Sequence, residues 1–269
     1  MQSMAGWQLR RRQGMNSSEL FRLDGKTALV TGSAQGLGRE IALGLAQSGC
    51  SLILADLVDT EETARLVAET GSHCISVKAD VSNEAEVETM VAQAISEFKK
   101  VDILVNNAGI SQLSFTATED LPVGEWDKIL AVNLKGTFLC CKHVGKQMIH
   151  CGGGSIINIA STAGITGVVR APAYCASKAG TILLTKSLAL EWARHQIRVN
   201  AIAPHYLETE LTKGLRASEK VFDGLVKQIP MRRFAKPAEI VGAVLLLASP
   251  ASSYTTGAVT VVDGGYLSQ

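Results

Sequence analysis

The sequence predicts an α/β fold with a single doubly wound parallel sheet and helices on both of its faces. Three observations lead there. From Lys26 onward, short apolar runs alternate with segments of helical periodicity. The apolar runs are nearly continuous rather than alternating, which is the pattern of strands covered on both faces. Repeated β-α units connect by right-handed crossovers, so neighbouring strands run parallel. A chain of 269 residues, 46% hydrophobic and 19% charged, is long and apolar enough to bury a substantial core.

The elements follow in order. "TALVTG" (27–32) is a strand that ends in glycine, and "GREIALGLAQSG" (38–49) is a helix with a glycine stop. "CSLILAD" (50–56) is the second strand. "DTEETARLVAET" (59–70) is a helix with acids in its first turn, where the macrodipole favours them. "HCISVKAD" (73–80) is a strand, 84–98 a helix and "VDILVNNAG" (101–109) the fourth strand. A long helical pattern covers 123–150, followed by strand "GSIINIAS" (154–161), a helix over 173–194 and strand "IRVNAIAP" (197–204). Residues 206–230 are irregular and partly helical. A helix over 237–249 and a strand over 258–265 complete the chain. No linker divides it, so residues 21–269 are expected to form one domain.

Residues 1–20 stand apart. The first 18 contain three consecutive arginines and no acid, and the periodic sequence begins only near Phe21. A flexible tail, or an over-long start with Met15 as initiator, fits this better than a transit peptide.

Composition excludes several function classes. A net charge of +1 gives no electrostatic case for nucleic acid or an anionic membrane as main partner. No apolar run reaches the roughly 18 residues of a membrane span. The six cysteines form no C-x-x-C pair, and no zinc spacing is present. No metal site is expected, and reduced thiols in a cytoplasmic setting are.

"TGSAQGLG", Thr31 to Gly38, lies between the first strand and first helix, with glycines at 32, 36 and 38. Such a turn lets a pyrophosphate approach the backbone at a helix N-terminus, where free N–H groups attract anions. Asp56 ends the second strand, where a carboxylate accepts bonds from ribose hydroxyls and repels a 2′-phosphate. Gln35 adds no cation. NAD(H) is therefore expected rather than NADP(H), although Arg39 argues the other way unless it points to solvent. Asp80, ending the third strand, is a candidate for the adenine amino group or for a helix cap.

In "APAYCASKAG" (171–180), Tyr174 and Lys178 lie four residues apart on one helix face. With Ser161 thirteen residues earlier, "NNAG" at 106–109 and Asn133 on a buried stripe, these motifs resemble the short-chain dehydrogenase/reductase family over about residues 22–267. The resemblance implies a Rossmann-type domain and a catalytic set of Asn133, Ser161, Tyr174 and Lys178. Tyr174 is the implied general acid or base, and Lys178 lowers its pKa and holds the nicotinamide ribose. Ser161 holds the substrate oxygen. Asn133 shapes its helix and holds a water connecting Lys178 to solvent. The implied cofactor set is Gly32, Gln35, Gly36, Leu37, Gly38, Asp56, Asp80, Val81, Asn107, Ala108, Gly109, Tyr174, Lys178, Pro204 and Thr209. Asn107 is expected to bond across the central strands.

One departure stands out. Where the family usually has proline-glycine, this chain has Pro204-His205. His205 either contacts substrate or points outward. Arg170 is a candidate carboxylate or phosphate partner, or a surface arginine. Specificity is expected in residues 111–121, 162–172 and 205–230. The leading expectation is oxidoreduction of a small or medium secondary alcohol and its ketone, in a homotetramer built on the two long helices. An NADP(H)-dependent 3-oxoacyl thioester reductase and a non-catalytic dinucleotide-sensing scaffold are the alternatives.

Overall fold

The computed structural model describes residues 19–112 and 116–269. Seven parallel strands form one sheet in the order β3-β2-β1-β4-β5-β6-β7. They are β1 (Thr27–Thr31), β2 (Ser51–Asp56), β3 (Cys74–Lys78), β4 (Ile103–Asn106), β5 (Gly154–Ile159), β6 (Ile197–Pro204) and β7 (Val259–Val262). The main helices are α1 (Gly36–Gln47), α2 (Glu61–Glu69), α3 (Glu84–Phe98), α4 (Val123–Leu130), α5 (Thr137–Cys151) and α6 (Pro172–Trp192). Two short helices, α7 (Lys213–Arg216) and α8 (Glu219–Val226), precede α9 (Ala238–Ala248). The 1–20 expectation lies almost wholly outside the described residues.

The continuous apolar strands divide their side chains between two cores. Leu29, Ile53, Leu104 and Ile156 face α3, α5 and α6 through Met90, Val144 and Leu188. Their neighbours Val30, Leu54, Val105 and Ile157 face α1 and α9 through Ile41, Leu45, Ile240 and Val244. Both faces are covered, so period-two alternation of polarity has no reason to appear.

The chain reverses its winding between β1 and β4, the point where doubly wound sheets hold ligands. Two departures from the sequence expectation shape that point. The strand expected over 101–109 ends at Asn106, because the next amides are taken by side chains. Asn107 N and Ala108 N both donate to Thr31 Oγ1 at 3.1 Å, and Ile110 N donates to Asn133 Oδ1 at 2.8 Å. The helix expected over 123–150 is broken by a π-helical segment over Ala131–Gly136. Such wide turns commonly mark functional positions, and this one carries Asn133.

Candidate active site

The turn after β1 shows why glycine is required in it. Gly32 has φ +66°, and a Cβ there would stand 2.8 Å from Ala108 Cα. A Cβ on Gly38 would lie 1.9 Å from the Gly32 carbonyl oxygen. The start of α1 therefore packs directly onto the turn, with Leu37 buried beneath it. Gln35 makes no side-chain bond that caps α1, so the first helix amides are left for an anion.

Asp56 Oδ2 accepts from Ala34 N at 2.9 Å, and Oδ1 accepts from Val58 N at 3.2 Å, which fixes the carboxylate at the rim. Arg39 does not point to solvent. Its guanidinium donates to Ala34 O at 2.6 Å and Thr63 Oγ1 at 3.1 Å. Asp80 is no helix cap: Asn83 caps α3, while Asp80 Oδ1 accepts from Ser82 N and Ser82 Oγ. Val81 packs against Gly136, 2.7 Å from where a Cβ would be. Asn107 Nδ2 donates to Thr31 O and Gly32 O at 3.0 and 2.9 Å, tying β4 to the turn. Thr209 comes within 3.5 Å of a Cβ position on Gly36. This cradle fits the pyrophosphate and ribose of a dinucleotide.

The cradle is one end of a cleft of about 710 Å³. Gly32, Gln35, Gly36, Leu37, Gly38, Asp56, Asp80 and Val81 line it, as do Asn107, Ala108, Gly109, Pro204 and Thr209. Ser161, Tyr174, Lys178 and His205 line the other end. Asn133 lies behind the wall and Arg170 does not line the cleft. Arg170 is exposed, with φ +60°.

At the end opposite the cradle, Tyr174 sits one turn from Lys178 on α6, and the ammonium lies 5.8 Å from the phenol ring centre. Burial works against the lowering of the phenol expected from Lys178. Burial raises the Tyr174 phenol above its ordinary value, and a hydrogen bond from Ser161 opposes the rise without overcoming it. Lys178 is 5% exposed and donates to Ile159 O at 2.8 Å. Burial pushes its own pKa down to about 8. Desolvation is the largest influence on both groups.

Asn133 is fully engaged. Besides accepting from Ile110 N, it donates to Ile110 O at 2.9 Å and Ser177 Oγ at 3.1 Å. Its carboxamide thus locks the loop after β4 to α6, beside Gly109.

His205 turns inward. Its Nδ1 lies 2.8 Å from Thr162 Oγ1, and its ring stacks on Tyr266 at 3.9 Å. Burial pushes its pKa down to about 4, against a weaker upward pull from Asp263. The wall also contains Gln112, Tyr206, Leu211 and Leu215. Gln112 was not singled out by sequence reasoning; its position soon after "NNAG" was the available signal. Residues 113–115 of the first expected specificity loop lie outside the described residues. Among the described residues there is no metal-ligating cluster, and no helix is long and apolar enough to cross a membrane.

Comparison with known proteins agrees with this geometry. The family model described as enoyl-(acyl carrier protein) reductase matches residues 32–267. A 2-dehydro-3-deoxy-D-gluconate 5-dehydrogenase from Dickeya dadantii (strain 3937) is 41% identical over 250 residues, covering 93% of this chain and 98% of that protein. A D-threitol dehydrogenase from Mycolicibacterium smegmatis is 43% identical over 254 residues, covering 91% and 94%. The crystal structure of a gluconate 5-dehydrogenase from Burkholderia cenocepacia J2315, in complex with NADP and tartrate, superposes with a TM-score of 0.90 at 35% identity. That match covers 94% of this chain and all of the other.

Proposed function

Because the chain belongs to the short-chain dehydrogenase/reductase family and is an oxidoreductase of CH–OH groups, we propose that it interconverts a secondary alcohol bearing further oxygen groups and its ketone, with NAD(H) preferred. One observation carries the reading: Ser161, Tyr174 and Lys178 stand at one end of a cleft whose other end is a glycine cradle. The nicotinamide, when bound, supplies or accepts the hydride. Tyr174 exchanges the proton of the substrate oxygen, and Ser161 donates a hydrogen bond to that oxygen as negative charge develops on it. Lys178 holds a buried positive charge one helical turn away, which favours the phenolate during proton transfer.

The NAD(H) preference is supported by the fixed Asp56 carboxylate and by Arg39, which spends two of its donors on Ala34 O and Thr63 Oγ1. The Burkholderia protein holds NADP, so direct comparison is the test. Initial rates with NAD⁺ and NADP⁺ over secondary alcohols, polyols and aldonates are expected to favour NAD⁺. Tyr174→Phe is expected to lower turnover about 10²–10⁴-fold. A clear NADP⁺ preference would reverse the Asp56 argument, and full activity of Tyr174→Phe would remove catalysis as the function.

The continuous sheet supports treating residues 21–269 as one dinucleotide-binding domain. Six free cysteines support a reducing, cytoplasmic location. Exposed apolar residues on α5 and α6 support a homotetramer.

A further inference from the structure

Two polar side chains in the wall of the cleft end in atoms with nothing to bond. Gln112 is fully buried, yet neither its Nε2 nor its Oε1 has a hydrogen-bond partner among the described residues. The Nε2 of His205 is buried in the same condition. Both residues line the cleft that holds Ser161 and Tyr174, and neither belongs to the proton-handling set. Buried polar groups are nearly always satisfied, so an unsatisfied pair at one cleft needs a reason.

The surroundings of His205 favour one ring tautomer. Thr162 is 2% exposed, and its Oγ1 has no partner among the described residues except His205 Nδ1. Donation of that hydroxyl to Nδ1 gives its proton an acceptor and leaves the ring proton on Nε2. The ring is held in that orientation by Tyr266, stacked at an interplanar angle of 13°. His205 thus offers one N–H donor, while Gln112 offers an NH₂ donor and a carbonyl acceptor.

We infer that Gln112 and His205 are specificity-determining residues that hydrogen-bond substrate oxygens other than the reacting one, so that the enzyme selects polyhydroxylated alcohols and hydroxy acids over plain secondary alcohols. A hydroxyl can accept from His205 Nε2–H and donate to Gln112 Oε1, whereas a methylene leaves both unpaired. A site built this way discriminates strongly against the analogue that lacks the oxygen. The inference rests on the proposed oxidoreductase function and deepens it.

The test uses Gln112→Leu and His205→Phe, the latter keeping a ring face for Tyr266. Rates with NAD⁺ are measured for erythritol, xylitol, sorbitol and D-gluconate against 2-butanol and cyclohexanol. The wild type is expected to favour its best oxygen-rich substrate in kcat/KM by about 10²-fold or more. Each substitution is expected to reduce that ratio about tenfold, mainly through KM. Gln112→Leu removes an unbonded buried amide, so its substrate-free melting temperature should rise while the stabilising shift given by the polyol shrinks. A structural role alone would lower the melting temperature and leave the ratio in place. Ratios within about twofold of wild type in both variants, or no wild-type preference for oxygen-rich substrates, would overturn the inference. Wild-type protein that turns over none of these alcohols would overturn the proposed function as well, which separates the two failures.

Discussion

Lys178 holds a charge in a place that disfavours it. Its pKa falls from 10.5 to about 8 through burial, a difference worth roughly 3 kcal/mol, against about 1 for its bond to Ile159 O. Lys178→Met should therefore be more stable than wild type at pH 7 by about 2 kcal/mol while losing most activity. The sign with pH follows. The folded pKa is depressed, so the lysine's penalty is complete below about 8 and is relieved as pH rises toward 10.5. Urea midpoints of the two proteins should converge between pH 8 and 10. Burial raises the Tyr174 phenol, so with Tyr174 in the proposed proton role alcohol oxidation, which then needs the phenolate, should accelerate from pH 6 upward. Ketone reduction, which needs the phenol, should not. His205, with a pKa near 4, contributes nothing to the profile above pH 6.

At the scale of elements, the π-helical segment between α4 and α5 decides the site's shape. Asn133 joins three pieces of chain through Ile110 and Ser177. Asn133→Ala leaves the half-buried Ile110 amide and carbonyl and the Ser177 hydroxyl without those partners, which should cost about 1–3 kcal/mol in denaturant unfolding. Activity should fall with it, because the loop carrying Gly109 loses its tie to α6; a midpoint unchanged from wild type would contradict this. The sequence placed Asn133 on a buried stripe and required partners for it, but it read 123–150 as one regular helix. A π-turn has no periodicity signature of its own. Here it accompanies a contact between Gly136 and Val81, residues on separate parts of the chain.

For the whole molecule, the exposed apolar residues are arranged along the helices. Leu183 and Leu190 on α6 are 66% and 86% exposed, and seven residues apart they share a face; Phe138 on α5 is 45% exposed. Such a stripe on a long helix suits a symmetric interface. The double variant Leu183→Glu, Leu190→Glu should dissociate the assembly toward monomers in sedimentation analysis, whereas the wild type should sediment as a tetramer.

The sequence by itself determined the fold class, the strand order of events along the chain and the set of chemical groups. Those signals are local: a glycine turn after a strand, a tyrosine and lysine one helical turn apart, a serine at a strand end. Tertiary structure alone decided how those groups behave. Whether burial or attraction governs Tyr174 depends on what surrounds it, not on its spacing from Lys178. His205 turns inward because of Thr162 and Tyr266, Arg39 is held by Ala34 and Thr63, and Arg170 faces away. Gln112 stands out because it is buried without a partner among the described residues. Each of these facts is set by neighbours brought together through folding, and hydrogen bonding and desolvation act on that spatial neighbourhood rather than on order along the chain.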